Sequence, residues 1–192
     1  MALGWLSASG IPARGWTCGY CGKEVGGDQG YRRENSDDSK FIYICPRCQN
    51  PTAFIKDDGG YLFSQYPDAP YGSNVTHLPH EIASLYSEIR RCIQYTAYTS
   101  AVLSIRKLLM HIAVERGAEP NERFVTYVKY LDDNHFIPPD CKPWVEKMKD
   151  AGNEATHEIV LVDERDAKRL LDFTEMLLRF LYEFPGKLSD VE

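Results

Sequence analysis

Apolar positions in the second part of the chain recur at helical spacing. After Pro79, residues Ile82, Leu85, Tyr86 and Ile89 fall at i, i+3, i+4 and i+7, the stripe of an amphipathic helix. A second helix is predicted from about Thr99 to Arg116, with Val102, Ile105, Leu108, Leu109 and Ile112 inside and Gly117 as its stop. A third, near 121–134, presents Phe124, Val128 and Leu131 and ends at the Ile137-Pro138-Pro139 corner. A fourth, about 142–151, turns Trp144, Val145 and Met148 inward before Gly152. The last starts after Asp163, a residue suited to accept from the free amides of a first turn. It runs through Leu170, Leu171, Thr174, Leu177, Leu178 and Leu181 and is expected to stop before Pro185-Gly186.

The first part of the chain has a different pattern. Phe41-Ile42-Tyr43-Ile44 is β-branched and aromatic, hence strand-like. Thr52–Lys56, then Asp57-Asp58-Gly59-Gly60, then Tyr61-Leu62-Phe63 reads as a hairpin whose glycines supply the turn. Composition changes near residue 75. The first 75 residues hold four of the six cysteines and 11 of the 23 aromatic residues. Between the two parts, Gln65–His77 carries Pro67, Pro70, Gly72, Ser73 and Asn74, a composition suited to an exposed linker. The organisation read from this is 1–64, 65–77 as linker, 78–185 as a helical bundle, and a tail over 186–192.

With 43% apolar and 26% charged residues, the 192-residue chain belongs with globular rather than disordered sequences. No apolar run approaches the ~20 residues of a membrane span, so no membrane partner is expected. The first ten residues have no basic stretch followed by a long apolar one, and the cytoplasm is the expected compartment. The net charge of −6 argues against a surface that coats nucleic acid broadly; a local basic patch is compatible with it.

Cys18-Gly-Tyr-Cys21 and Cys45-Pro-Arg-Cys48 are two C-x2-C turns, 23 residues apart. Each turn places two thiolates at one side of a tetrahedron, and two turns complete it. Disulfides are disfavoured in the expected compartment, and a redox C-x2-C usually occurs once. One structural zinc ion per chain is therefore expected at Cys18, Cys21, Cys45 and Cys48, stapling a segment too small to fold on its own core. Cys92 and Cys141 read as core thiols. Arg32, Arg33 and Arg47 lie near Tyr31 and Tyr43 in the sequence. Such interleaving suits stacking on bases and pairing with phosphates; the alternative is that the aromatics form the small core and the arginines are solvated.

The segment Asp150-Ala-Gly152-Asn153-Glu-Ala-Thr-His157 is the most specific polar stretch. By local physics it is a helix end, with Gly152 in the left-handed position and His157 at a surface or interface.

Together with Ser104-Ile-Arg106-Lys-Leu-Leu, Tyr127-Val-Lys-Tyr-Leu131 and Phe136-Ile137-Pro138, the Gly152-Asn153-x3-His157 stretch resembles the bacterial domain of unknown function 4145 family. That family is itself similar to the HEPN helical domains. The resemblance covers roughly 80–183 and implies a mainly α fold: a HEPN-like bundle preceded by a small β zinc ribbon. It implies a homodimer through the helical domain and a place in bacterial genome maintenance or phage defence. Many HEPN domains are metal-independent ribonucleases in which an Arg holds the phosphate and a His moves a proton. Carried over, the catalytic set would be His157, Arg106 and Asn153. Lys149 stands where the signature Arg would precede the His. Arg106-x4-His111 fits the signature, but the two residues lie roughly 140° apart around a helix at about 100° per residue. The leading expectation is a non-catalytic binding or scaffolding protein with a protein, RNA or DNA partner. The alternative is a metal-independent ribonuclease.

Overall fold

The structure, a computed structural model, describes residues 9–33, 39–57, 62–138 and 161–190. The predicted helix at 142–151, Cys141, Lys149 and the Gly152–His157 stretch lie outside the described residues, as do Asp58–Tyr61 of the predicted hairpin. The chain forms two compact units, Met1–Pro70 and Tyr71–Glu192.

The first unit is an antiparallel sheet of five strands in sequence order: β1 (Ser9–Thr17), β2 (Glu24–Arg32), β3 (Lys40–Ile44), β4 (Pro51–Lys56) and β5 (Phe63–Tyr66). The hairpin predicted around 57–60 pairs Lys56 with Phe63, and its second strand continues to Tyr66. In a flat sheet, strands four places apart would lie about 19 Å from each other at ~4.8 Å spacing. Here the Gln65 side-chain amide of β5 donates to the Thr17 carbonyl of β1 at 2.8 Å. The Arg14 guanidinium of β1 lies 4.3 Å over the Phe63 ring of β5. The sheet is therefore rolled until its edges meet. Its inner face buries Ile11, Trp16, Phe41, Tyr43 and Phe54, with Tyr43 and Phe54 packed edge to face at 5.5 Å.

This sheet corrects the mainly α fold class: the chain joins a five-stranded antiparallel sheet to a helical unit, and neither is an appendage of the other. The two nine-residue strands β1 and β2 gave no strand signal because their inward positions do not alternate. Pairing between them breaks register between Gly10 and Arg14. Glycine also replaces a side chain at Gly30, where an added Cβ would lie 1.9 Å from the Ile42 carbonyl oxygen.

Among the described residues of the second unit the helices are α1 (His80–Gln94), α2 (Tyr98–Glu115), α3 (Phe124–Asp133), α4 (Glu164–Leu178) and α5 (Phe184–Ser189). The predicted apolar stripes face inward: Ile82, Tyr86 and Ile89 on α1, and Ile105, Leu108, Leu109 and Ile112 on α2. Phe124, Val128 and Leu131 of α3 join the same core. α2 packs against α1, α3 and α4 and is the centre of the unit. Asp163 caps α4, its carboxylate accepting from the Asp166 amide at 2.8 Å. The helix does not stop before Pro185. It widens into a π turn over Arg179–Glu183 and continues as α5. Pro185 lacks an amide, and the Leu181 carbonyl four residues before it is met instead by the Arg116 guanidinium at 3.1 Å.

Residues 71–77, read from composition as linker, are held by the helices. Arg90 donates to the Tyr71 and Gly72 carbonyls at 3.0 and 2.9 Å. Glu175 accepts from the Ser73 amide at 2.6 Å, and Val75 is buried. Glu183, buried within the π turn, accepts from the Thr76 hydroxyl and from Arg179 and Lys187.

Candidate metal centre

The four cysteines come from two turns of the same build. After β1, the Cys18 amide donates to the Lys23 carbonyl at 2.9 Å and the Gly22 amide to the Cys18 carbonyl at 2.8 Å. After β3, the Cys45 amide donates to the Asn50 carbonyl at 3.0 Å and the Gln49 amide to the Cys45 carbonyl at 2.9 Å. The residue four places after the first cysteine is left-handed in both turns: Gly22 at φ 66° and Gln49 at φ 60°. The sequence meets this demand with glycine once. The second time it uses glutamine, whose side-chain amide donates back to the Pro46 carbonyl at 3.3 Å.

The rolled sheet brings these turns together. Cys18 and Cys48 sulfurs lie 3.7 Å apart, Cys21 and Cys45 sulfurs 4.0 Å apart, and all four within 4.8 Å of one another. A tetrahedron with metal–sulfur bonds of about 2.3 Å has edges of about 3.8 Å, so the spacing fits a four-thiolate zinc site. The four sulfurs form a cluster that can hold a metal ion. Cys18 and Cys45 are fully buried, which makes the site part of the sheet's core.

The electrostatics agree with that geometry. Burial pushes the Cys18 thiol up to about 12, against the pull of the Cys21 and Tyr20 amides that donate to it. Burial raises Cys48 too, but the Asn50 amide and its other hydrogen bonds outweigh this and leave it at about 7. Asn50 also sends its side-chain amide toward the Cys48 sulfur at 3.5 Å. Four sulfurs this close cannot all be thiolates without a cation among them, whereas a divalent metal makes the ionised form favourable for each.

The other predicted site residues do not converge in the same way. Arg32 pairs with Phe41 at one end of β3, while Arg47 sits in the turn after the other end. Tyr43 is on the inner face, 1% exposed, its hydroxyl donating to the Pro12 carbonyl at 2.7 Å, so it presents no ring to solvent. Arg33 is exposed at the end of β2. Arg106 is half-buried on α2 with its guanidinium 4.7 Å over the Phe124 ring, and burial pulls its pKa below the ordinary arginine value. His111 is exposed. Asn153 and His157 lie outside the described residues. Cys92 is half-buried against the helical core, and burial raises its thiol.

Sequence reading missed Arg14, which covers the aromatic core, and the Glu175–Arg179–Glu183 ladder that runs from α4 into the π turn. The i, i+4 spacing of the ladder was legible; its contact with residues 73–76 was not.

The described residues join a four-cysteine cluster built into a rolled antiparallel sheet to a helical unit with its own core. The chain belongs to the family described as Domain of unknown function (DUF4145), whose family model matches residues 87–192, the greater part of the helical unit. Neither the search of curated proteins nor that of solved structures finds a match. No helix among the described residues is long and apolar enough to cross a membrane.

Proposed function

We propose that this protein is a non-catalytic binding or scaffolding module whose sheet is stapled by one structural zinc ion. The observation that carries the reading is the closure of the cysteine cluster. Four thiolates at tetrahedral spacing use every position of a zinc ion and leave none for water or substrate. Arg106, the one member of the predicted catalytic set among the described residues, supports the same reading. Its guanidinium lies over Phe124 and is partly withdrawn from solvent.

The sequence resemblance to HEPN domains carries the second reading, a metal-independent ribonuclease using His157 and Arg106. A homodimer through the helical unit belongs with either. Leu170, Leu177 and Leu178 of α4 are buried in the unit's own core, so such a dimer would use other faces. A light-scattering mass of two chains at tens of micromolar would support it, and a mass of one chain would overturn it.

The two functional readings separate in one assay. Structured and unstructured RNA are incubated with the protein in chelator. Our reading predicts no cleavage by wild type or by His157→Ala. Cleavage by wild type that leaves cyclic phosphate ends and disappears in His157→Ala, with unchanged melting, would establish the ribonuclease. For general acid–base catalysis the loss should be roughly 10²–10⁴-fold.

A further inference from the structure

The four cysteines have a second chemistry besides metal binding. Sulfur meets sulfur across the two turns: hydrogen bonds join Cys18 to Cys48 at 3.7 Å and Cys21 to Cys45 at 4.0 Å. Each of these pairs couples a buried thiol to a half-buried one. Cys18 and Cys45 are buried, while Cys48 and Cys21 reach the surface in part, where a small oxidant can meet them.

The sulfurs of a disulfide are about 2.05 Å apart, so each pair has to close by roughly 2 Å. Across the turns, that closure is a small shift of one turn against the other. Within a turn it works against the backbone. The Cys18 amide is bonded to the Lys23 carbonyl and the Gly22 amide to the Cys18 carbonyl, and Cys45 and Gln49 repeat the pattern in the second turn.

We propose that the cluster is a peroxide-sensitive staple, in which the cysteines give up their metal and form two disulfides, Cys18–Cys48 and Cys21–Cys45. The half-buried sulfur of each pair attacks one oxygen of hydrogen peroxide. The O–O bond breaks, and the departing hydroxide takes up a proton to give water. The buried sulfur then attacks the resulting sulfenic acid. The S–O bond breaks, and its hydroxide leaves as a second water. Each pair yields two electrons and each peroxide becomes two waters, with two protons drawn from solvent. No thiolate remains to hold a metal ion. Both disulfides tie the turn after β1 to the turn after β3, so the sheet stays rolled without metal. The proposal rests on the zinc reading for the ion released, whereas the pairing follows from the sulfur positions alone.

The test uses the full chain purified without chelator, and elemental analysis before oxidation judges the zinc reading by itself. Hydrogen peroxide is then added in the presence of a chromogenic zinc indicator. About two peroxides should be consumed for each zinc released, one per disulfide. Trypsin cuts after Arg47 and chymotrypsin after Tyr20, which separates the cysteines of each turn onto different peptides. Mass spectrometry should find Cys18 joined to Cys48 and Cys21 to Cys45. Dimedone present during oxidation should mark Cys21 and Cys48. In a chain carrying Trp5→Phe and Trp144→Phe, the near-ultraviolet signal of Trp16 should survive peroxide, and dithiothreitol with zinc should restore the reduced, metal-loaded state. The proposal is overturned by disulfides within the turns, by dimedone on Cys18 or Cys45, by loss of the Trp16 signal on oxidation, or by four thiols that stay reduced in excess peroxide. A chain purified without zinc refutes the zinc reading, and its peptide map still decides the pairing.

Discussion

Gln49 holds a left-handed backbone at φ 60° in the second cysteine turn, the position that Gly22 occupies in the first. The conformation costs a residue with a Cβ roughly 1–2 kcal/mol. Glycine returns about 0.5–1 kcal/mol of that through its freer unfolded chain. Gln49→Gly should therefore stabilise the sheet by about 0.5 kcal/mol, read as a higher urea midpoint of Trp16 fluorescence in a chain whose Trp5 and Trp144 are changed to Phe. A lower midpoint would show that the side-chain bond to the Pro46 carbonyl outweighs the strain. Glu175 offers a second check. Burial raises its pKa, but the Ser73 amide, Arg179 and the Tyr86 hydroxyl together hold it below the ordinary carboxylate value. Its contribution is complete at neutral pH and is lost as pH falls below about 4.3 towards the depressed native value. Glu175→Gln should melt below wild type at pH 7, and the gap should narrow on acidification. A gap independent of pH would contradict this.

At the scale of elements, α2 is the helix on which the helical unit depends. Leu109 is 1% exposed between α2 and its neighbours, whereas Leu103 on the same helix is 54% exposed. Leu109→Ala should cost about 2–5 kcal/mol and Leu103→Ala within about 0.5, measured by denaturant unfolding. Such differences were legible in the sequence because 3.6-residue spacing sorts Ile105, Leu108 and Leu109 from their exposed neighbours. The same logic located α1, α3 and the Asp163 cap of α4. It failed for β1 and β2, where Gly10, Gly15, Gly26, Gly27 and Gly30 carry no side chain to alternate and a register break shifts the inward face. It also failed at Pro185, because the Leu181 carbonyl that proline leaves without a helical donor is met by Arg116 at the end of α2. The cysteine spacing disclosed the metal cluster before any fold was known.

At the scale of the whole molecule, the described residues form two cores, one of aromatic residues around the cysteine cluster and one of mainly aliphatic residues among the helices. Removing metal should therefore act on one and spare the other. In a chain whose Trp5 and Trp144 are changed to Phe, chelation should abolish the near-ultraviolet signal of Trp16 while helical circular dichroism at 222 nm persists; simultaneous loss of both would show a single cooperative unit. The closure of the four-sulfur cluster is the claim on which the functional reading depends, and metal content tests it most directly. Elemental analysis of the full chain purified without chelator should find one zinc per chain, and Cys18→Ser should lose it. Protein without zinc, or a Cys18→Ser variant that retains it in full, would contradict the account.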